Sequence, residues 1–170
     1  MQAVIVRRNL EIHPGDETDY SALTRVGGWL NVYKGATLVA PALGCVGWLD
    51  VREGATLVAP ALTRVRWINV YKGATLVAPA LTRVRWIDVR EGATLVAPAL
   101  ARVDGWIYVH EGAALDAPAL TSAGGEEVDP AQRHRLRSRY IARTMTEPHG
   151  RCLAAGRCIE PVPKDQRCRP

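Results

Sequence analysis

The 170-residue chain predicts an all-β fold: a right-handed β-solenoid of about five coils, each 19–20 residues long, then a short C-terminal helix and an irregular tail. Three observations carry that expectation. One unit recurs five times: 23–42 reads LTRVGGWLNVYKGATLVAPA, 43–61 reads LGCVGWLDVREGATLVAPA, and copies follow at 62–80, 81–99 and 100–119. Within each unit two short stretches alternate with a period of two, as a strand with one buried face does. Gly35 and Pro41 have equivalents in every copy and would break any helix laid over the repeat. A unit this short has no core of its own, whereas stacked copies build a continuous one.

The elements follow in chain order. Residues 1–22 form an entry segment, with Gln2 to Ile12 alternating loosely as a starter strand and His13-Pro14-Gly15-Asp16 turning through Tyr20 into the first coil. In that coil's first strand Leu30 and Val32 share one face, and Trp29, Asn31 and Tyr33 take the other. In its second strand Ala36, Leu38 and Ala40 alternate with Thr37 and Val39. Gly27-Gly28, Lys34-Gly35 and Pro41 supply the corners, and the extra residue of the first unit falls at Gly27-Gly28, where a turn would absorb it. The expected core is Leu23, Val26, Leu30, Val32, Leu38 and their equivalents. At the usual strand spacing of ~4.8 Å, five coils make a rod about 24 Å long. The solenoid region is 23–125, where a sixth copy opens at Leu120 and breaks off.

A second period runs through the repeat. Copies one and three share NVYKGATLVAPAL, and copies two and four share DVREGATLVAPAL. In-register stacking then alternates charge along Lys34, Glu53, Lys72 and Glu91. It alternates ring and guanidinium along Tyr33, Arg52, Tyr71 and Arg90, which permits cation–π contacts.

Residues 126–170 are a different material. Asp129-Pro130-Ala131-Gln132 has the form of a capping box with Pro at the first helical position, and a helix is expected over 130–144. Leu136, Tyr140 and Ile141 form its apolar edge, suited to covering the open end of the last coil. Arg133, Arg135, Arg137, Arg139 and Arg143 form its basic face. His149, Cys152, Cys158 and Cys168 follow at a spacing that matches no familiar zinc finger or ribbon, so neither metal nor cofactor is expected.

The unit L-x-x-V-G-G-x-L-x-V-x-x-G-A-x-L-x-A-P-A resembles the short leucine-rich-like repeats of bacterial and phage proteins. It is more distantly similar to the β-helical coils of receptor L domains. The resemblance covers 23–125 and implies a solenoid with no particular chemistry. Gly35, Gly54, Gly73, Gly92 and Gly112 stand where a leucine-rich repeat has Asn. Val65-Arg66-Trp67 and Val84-Arg85-Trp86 stand where the pattern has Val-Gly-Gly, which favours a β-helix-like solenoid over a helix-containing horseshoe.

Two outward ladders are the candidate binding residues. Trp29, Trp48, Trp67, Trp86 and Trp106 form an apolar stripe of the kind that marks interaction surfaces, and ring-on-ring packing also stabilises such a stripe. Beside it runs an arginine row of Arg25, Arg64, Arg83 and Arg102, with Arg66 and Arg85 two residues on. Cys45 interrupts the row and Asp104 is placed to pair with Arg85. Like charges one strand apart repel, so an anionic partner is favourable there.

Catalytic patterns are sparse. Asp50 and Asp88 lie two coils apart, ~9.6 Å by strand spacing and near the separation of inverting glycosidases, but Asn69 intervenes and no long loop builds a cleft. The sequence has no P-loop, HExxH motif or nucleophile elbow. The function expected is a non-enzymatic repeat scaffold binding a macromolecular partner, a protein first, through the Trp and Arg ladders. The alternative is nucleic-acid binding through the basic helix 130–144, with the solenoid as scaffold. With no run near the ~20 apolar residues of a membrane span and no secretory core in Met1 to Asp16, a cytoplasmic, non-membrane protein with reduced thiols is expected.

Overall fold

Alternation along each repeat turns one row of side chains inward, and the corners then fold the chain back over itself. The computed structural model describes residues 3–124 together with the backbone of 126–127, 145–146, 151–154 and 157–161. A partial coil comes first, made of β1 (Val4–Val6) and β2 (Leu10–Ile12). Four full coils follow, each with a long and a short strand: β3 (Leu23–Val32) and β4 (Thr37–Val39), β5 (Cys45–Val51) and β6 (Thr56–Val58), β7 (Arg64–Val70) and β8 (Thr75–Val77), β9 (Arg83–Val89) and β10 (Thr94–Val96). In the fifth coil the long strand is split into β11 (Arg102–Val103) and β12 (Ile107–Val109), before β13 (Ala114–Asp116). The sixth copy contributes β14 (Ser122–Ala123), which pairs parallel with β11.

The long strands stack into one sheet in the order β1-β3-β5-β7-β9-β11-β14, and the short strands into a second, β4-β6-β8-β10-β13, all in parallel. Register is kept coil after coil: Leu30, Leu49, Ile68, Ile87 and Ile107 lie in one line. This is the expected β-solenoid. The core residues named from the alternation are buried, Leu43 among them as the equivalent of Leu23, as are Ala36, Ala40 and their equivalents.

Two turns close each coil. The Ala36 amide donates to the Tyr33 carbonyl at 2.9 Å, and Gly35 between them has φ +71°, a left-handed conformation that glycine adopts without a Cβ penalty. The equivalent glycines repeat it with φ of +63° to +70°. At the other turn the Leu43 amide donates to the Ala40 carbonyl across Pro41 and Ala42, with Pro at the position its fixed φ suits.

The structure changes three expectations. The extra residue at Gly27-Gly28 is absorbed by a β-bulge inside β3, where the register with β5 shifts between Val26 and Trp29, and not by a turn. The single starter strand is two strands, both pairing with β3, because Asn9 Oδ1 takes the Trp29 amide at 3.0 Å and the Arg8 carbonyl takes that of Gly28. The tail is not irregular throughout. β15 (Glu126–Glu127) lies antiparallel to β14, ending the parallel stack. β16 (Met145–Thr146), β17 (Arg151–Ala154) and β18 (Arg157–Pro161) make a three-stranded antiparallel sheet, with Leu153 opposite Cys158. The helix expected over 130–144, with Arg133, Arg135, Arg137, Arg139 and Arg143, lies outside the described residues.

Both predicted side ladders form. Lys34 meets Glu53 at 3.3 Å and Lys72 meets Glu91 at 3.8 Å, exposed pairs that bridge successive coils and contribute little each. The Tyr71 ring lies between two guanidiniums, Arg52 at 4.6 Å and Arg90 at 4.4 Å, while Tyr33 stacks on His13 at 4.3 Å.

Candidate binding face

Each long strand turns a corner where two consecutive residues point outward. In β7, Val65 and Ile68 are buried while Arg66 and Trp67 between them face out, and Arg64 precedes them on the same side. Stacking repeats the arrangement, so one side of the rod carries an arginine row, a second partial row two residues on, and the tryptophan column next to it.

In the first row the strand register lines up Arg25, Cys45, Arg64, Arg83 and Arg102. At its upper end two arginines share one carboxylate. Asp104 accepts hydrogen bonds from Arg83 Nε on one oxygen and Arg102 Nε on the other, both at 2.8 Å. The hydrogen bond from Arg83 holds the Asp104 carboxyl below its ordinary range, and the same bond raises the Arg83 guanidinium. Asp104 therefore pairs within the first row and not with Arg85. By strand register Asp104 occupies the second-row position, its amide bonded to the Val84 carbonyl, and its carboxylate reaches Arg83 and Arg102 of the first row.

Lower down no carboxylate meets the row among the described residues. Arg25, Cys45, Gly47, Arg64, Arg66 and Arg85 line an open groove of about 340 Å³, which Arg83 and Asp104 close at the top. A second depression, lined by Ile5, Val6, Arg7 and Arg25, continues it toward the first strand. Gly47 is the floor. A Cβ there would come within 2.6 Å of the Gly27 carbonyl oxygen and 2.8 Å of that of Gly28, so the bulge below excludes any side chain. Arg66 reaches across from the next coil and lies over the Trp48 ring at 5.3 Å. Arg85 covers Trp86 at 4.1 Å.

The tryptophans stack in Cα register from Trp29 through Trp48 and Trp67 to Trp86. Trp29 and Trp48 stack nearly parallel, their centroids 5.6 Å apart with 13° between their planes. Trp67, Trp86 and Trp106 form a tilted cluster with centroids 4.9–6.3 Å apart, which Tyr108 extends edge-on. Trp67 Nε1 donates to Asn69 Oδ1 at 2.8 Å. The rings thus pack on one another and still present an aromatic surface: Trp29 is 39% exposed and the other four are half-buried.

The carboxylates on the far side of the Trp column belong to a different ladder. Asp50 is 3% exposed, accepts from Asn69 Nδ2 at 2.7 Å and pairs with Arg52 at 3.4 Å. Asp88 is engaged by His110 at 2.9 Å and Arg90 at 3.3 Å. The depression beside it, about 490 Å³, has walls of mixed sign from Glu53, Lys72, Arg90 and Glu91. Asp50 and Asp88 thus each have cationic or amide partners and do not face one another across a cleft. The threonines Thr37, Thr56, Thr75 and Thr94 line up on the second sheet, ending at Ala114.

Among the described residues no group of three or more His, Cys, Asp or Glu could hold a metal ion. Among them, too, no helix is long and apolar enough to cross a membrane. No protein-family model, curated protein or solved structure matches the chain.

Proposed function

We propose that the solenoid is a non-enzymatic scaffold that binds a macromolecular partner through its arginine row and tryptophan column. The observation that carries this reading is the groove lined by Arg25, Arg64, Arg66, Arg83 and Arg85, five cations against one carboxylate, Asp104. The lysines of the turn ladder are, by contrast, paired between coils, Lys34 with Glu53 and Lys72 with Glu91. Unpaired guanidiniums stacked one strand apart repel, and an anionic partner relieves that repulsion. The half-exposed rings alongside add apolar contact area of the kind that anchors interfaces.

The test is charge reversal on the full chain. Arg64→Glu with Arg66→Glu removes the centre of the groove while leaving the core untouched. Retention on a panel of immobilised polyanions (single-stranded DNA, polyglutamate and dextran sulfate) is expected to fall for every ligand the wild type holds. Unchanged retention throughout would remove the face from consideration. A loss seen only with Arg133→Glu and Arg135→Glu transfers binding to the basic segment 130–144, the competing reading.

A further inference from the structure

The groove and the column beside it are complementary to one kind of polyanion, and we infer that the partner is a single-stranded nucleic acid lying along the solenoid axis. The inference rests on the reading of the arginine and tryptophan ladders as the binding face.

Three features select this ligand. The groove's cations are all arginine, whereas Lys34 and Lys72 sit on the opposite turn, paired with glutamates. A guanidinium presents a planar fork that matches phosphate oxygens two at a time, which a lysine ammonium does not. Next, a line of flat π surfaces runs parallel to the charges. Trp29 and Trp48 stack with nearly parallel planes, Trp29 at the open end being 39% exposed, and Arg66 over Trp48 and Arg85 over Trp86 add guanidinium planes. A basic groove tracking the backbone with an aromatic platform for the bases is how single strands are held without sequence preference. An acidic peptide has charge for the groove but no face for the rings.

Finally, the form of the site suits a flexible strand and not a duplex. The face is a shallow furrow on a parallel sheet, and no helix is among the described residues to enter a major groove. From β1, whose next residue Arg7 lines the lower depression, to β9 with Arg85, the furrow crosses four strand spacings, about 19 Å. The notch at Cys45 and Gly47 gives an extended strand room to lie close to the sheet.

Oligothymidylate is the probe, used with the full chain. Expected are quenching of tryptophan fluorescence and a fall in affinity with salt of slope about −2.8, taking four neutralised phosphates at ~0.7 each. Arg64→Gln with Arg66→Gln is expected to lower that slope to about −1.4. On the wild type, bound oligonucleotide is expected to shield Cys45 from alkylation, read by peptide mass spectrometry, so the test survives a variant that fails to fold. Polyglutamate of matched charge binding as tightly, with the same dependence on Arg64 and Arg66 and no difference in quenching, overturns the nucleic-acid assignment while leaving the face intact. Binding of oligothymidylate with Cys45 unprotected, and with an unchanged slope in the glutamine variant, overturns both.

Discussion

Gly44 and Gly47 lie three residues apart in one coil, and substituting each by alanine should move stability in opposite directions. At Gly47 a Cβ would approach two backbone oxygens to 2.6 and 2.8 Å, where ordinary contact begins at 3.4 Å. The overlap of roughly 0.6–0.8 Å falls on the Gly27-Gly28 bulge, whose own amide is hydrogen-bonded to the strand below. No flexible side chain is there to swing away. Overpacking of this kind costs about 1–3 kcal/mol, against which the loss of unfolded-state freedom on replacing glycine returns about 0.4–1. The expected net loss for Gly47→Ala is about 1–2 kcal/mol. At Gly44 the nearest atoms to a new Cβ are carbonyl oxygens at 3.8 and 3.9 Å, and its φ is not in the left-handed region. Gly44→Ala therefore keeps only the favourable part, about 0.4–1 kcal/mol. Urea unfolding followed by tryptophan fluorescence should lower the Gly47→Ala midpoint by about 0.5–1 M and raise that of Gly44→Ala by about 0.2–0.5 M, taking m of about 2 kcal/mol/M. Both variants shifting together, or Gly47→Ala matching wild type, would refute the claim that the bulge below excludes a side chain.

Leu57 is fully buried and stacked in register between Leu38 and Leu76, so Leu57→Ala leaves a cavity whose walls are held by ladders on both sides. A loss of about 3–5 kcal/mol is expected in urea unfolding, and a loss below about 1 would mean the coils collapse to fill the space. Asp104 titrates below the ordinary aspartate value of 3.8 because Arg83 donates to it. With its folded pKa depressed, its stabilisation is complete above that value and lost as pH falls through the folded pKa. Asp104→Asn should accordingly destabilise at neutral pH and converge with wild type in acid, a comparison of urea midpoints at the two pH values. The same variant frees Arg83 and Arg102, and should steepen the salt slope for oligothymidylate by about 0.7 for each phosphate gained.

The solenoid was legible because stacking makes every constraint repeat. The inward Leu30 and Leu38, the turn glycine at 35 and Pro41 each recur at one spacing, and a period-two alternation admits few other folds. Register followed as well, since matching copies in line put Lys34 against Glu53 and Arg52 against Tyr71. What escaped were the places where a copy departs from the rest. Asp104 stands at the repeat position of Arg66 and Arg85, yet its carboxylate reaches two arginines of the neighbouring row, a side-chain reach that the repeat alignment does not register. The need for glycine at 47 comes from a bulge in the neighbouring coil, 20 residues away in sequence. The burial of Asp50, too, follows from Asn69 and Arg52 closing over it, which alternation alone does not register.

Duplication of a two-coil unit explains one set of ladders and not the other, and the difference bears on function. Lys and Glu, Tyr and Arg, and Asn and Asp all alternate with a period of two coils, and each alternation yields paired or stacked neighbours in the fold. The arginine row does not follow that period. It carries Arg in the first, third, fourth and fifth coils and Cys in the second, while the second row carries Arg only in the third and fourth. A passive copy of the doublet would have interleaved Arg25 and Arg64 with the residue at 45 in both even coils, yet the fourth coil has Arg83. Repulsion along the row also works against the fold, and a single carboxylate, Asp104, relieves it at one end only. A surface whose charges are neither inherited from the repeat nor neutralised within it is where a partner of opposite charge contributes most.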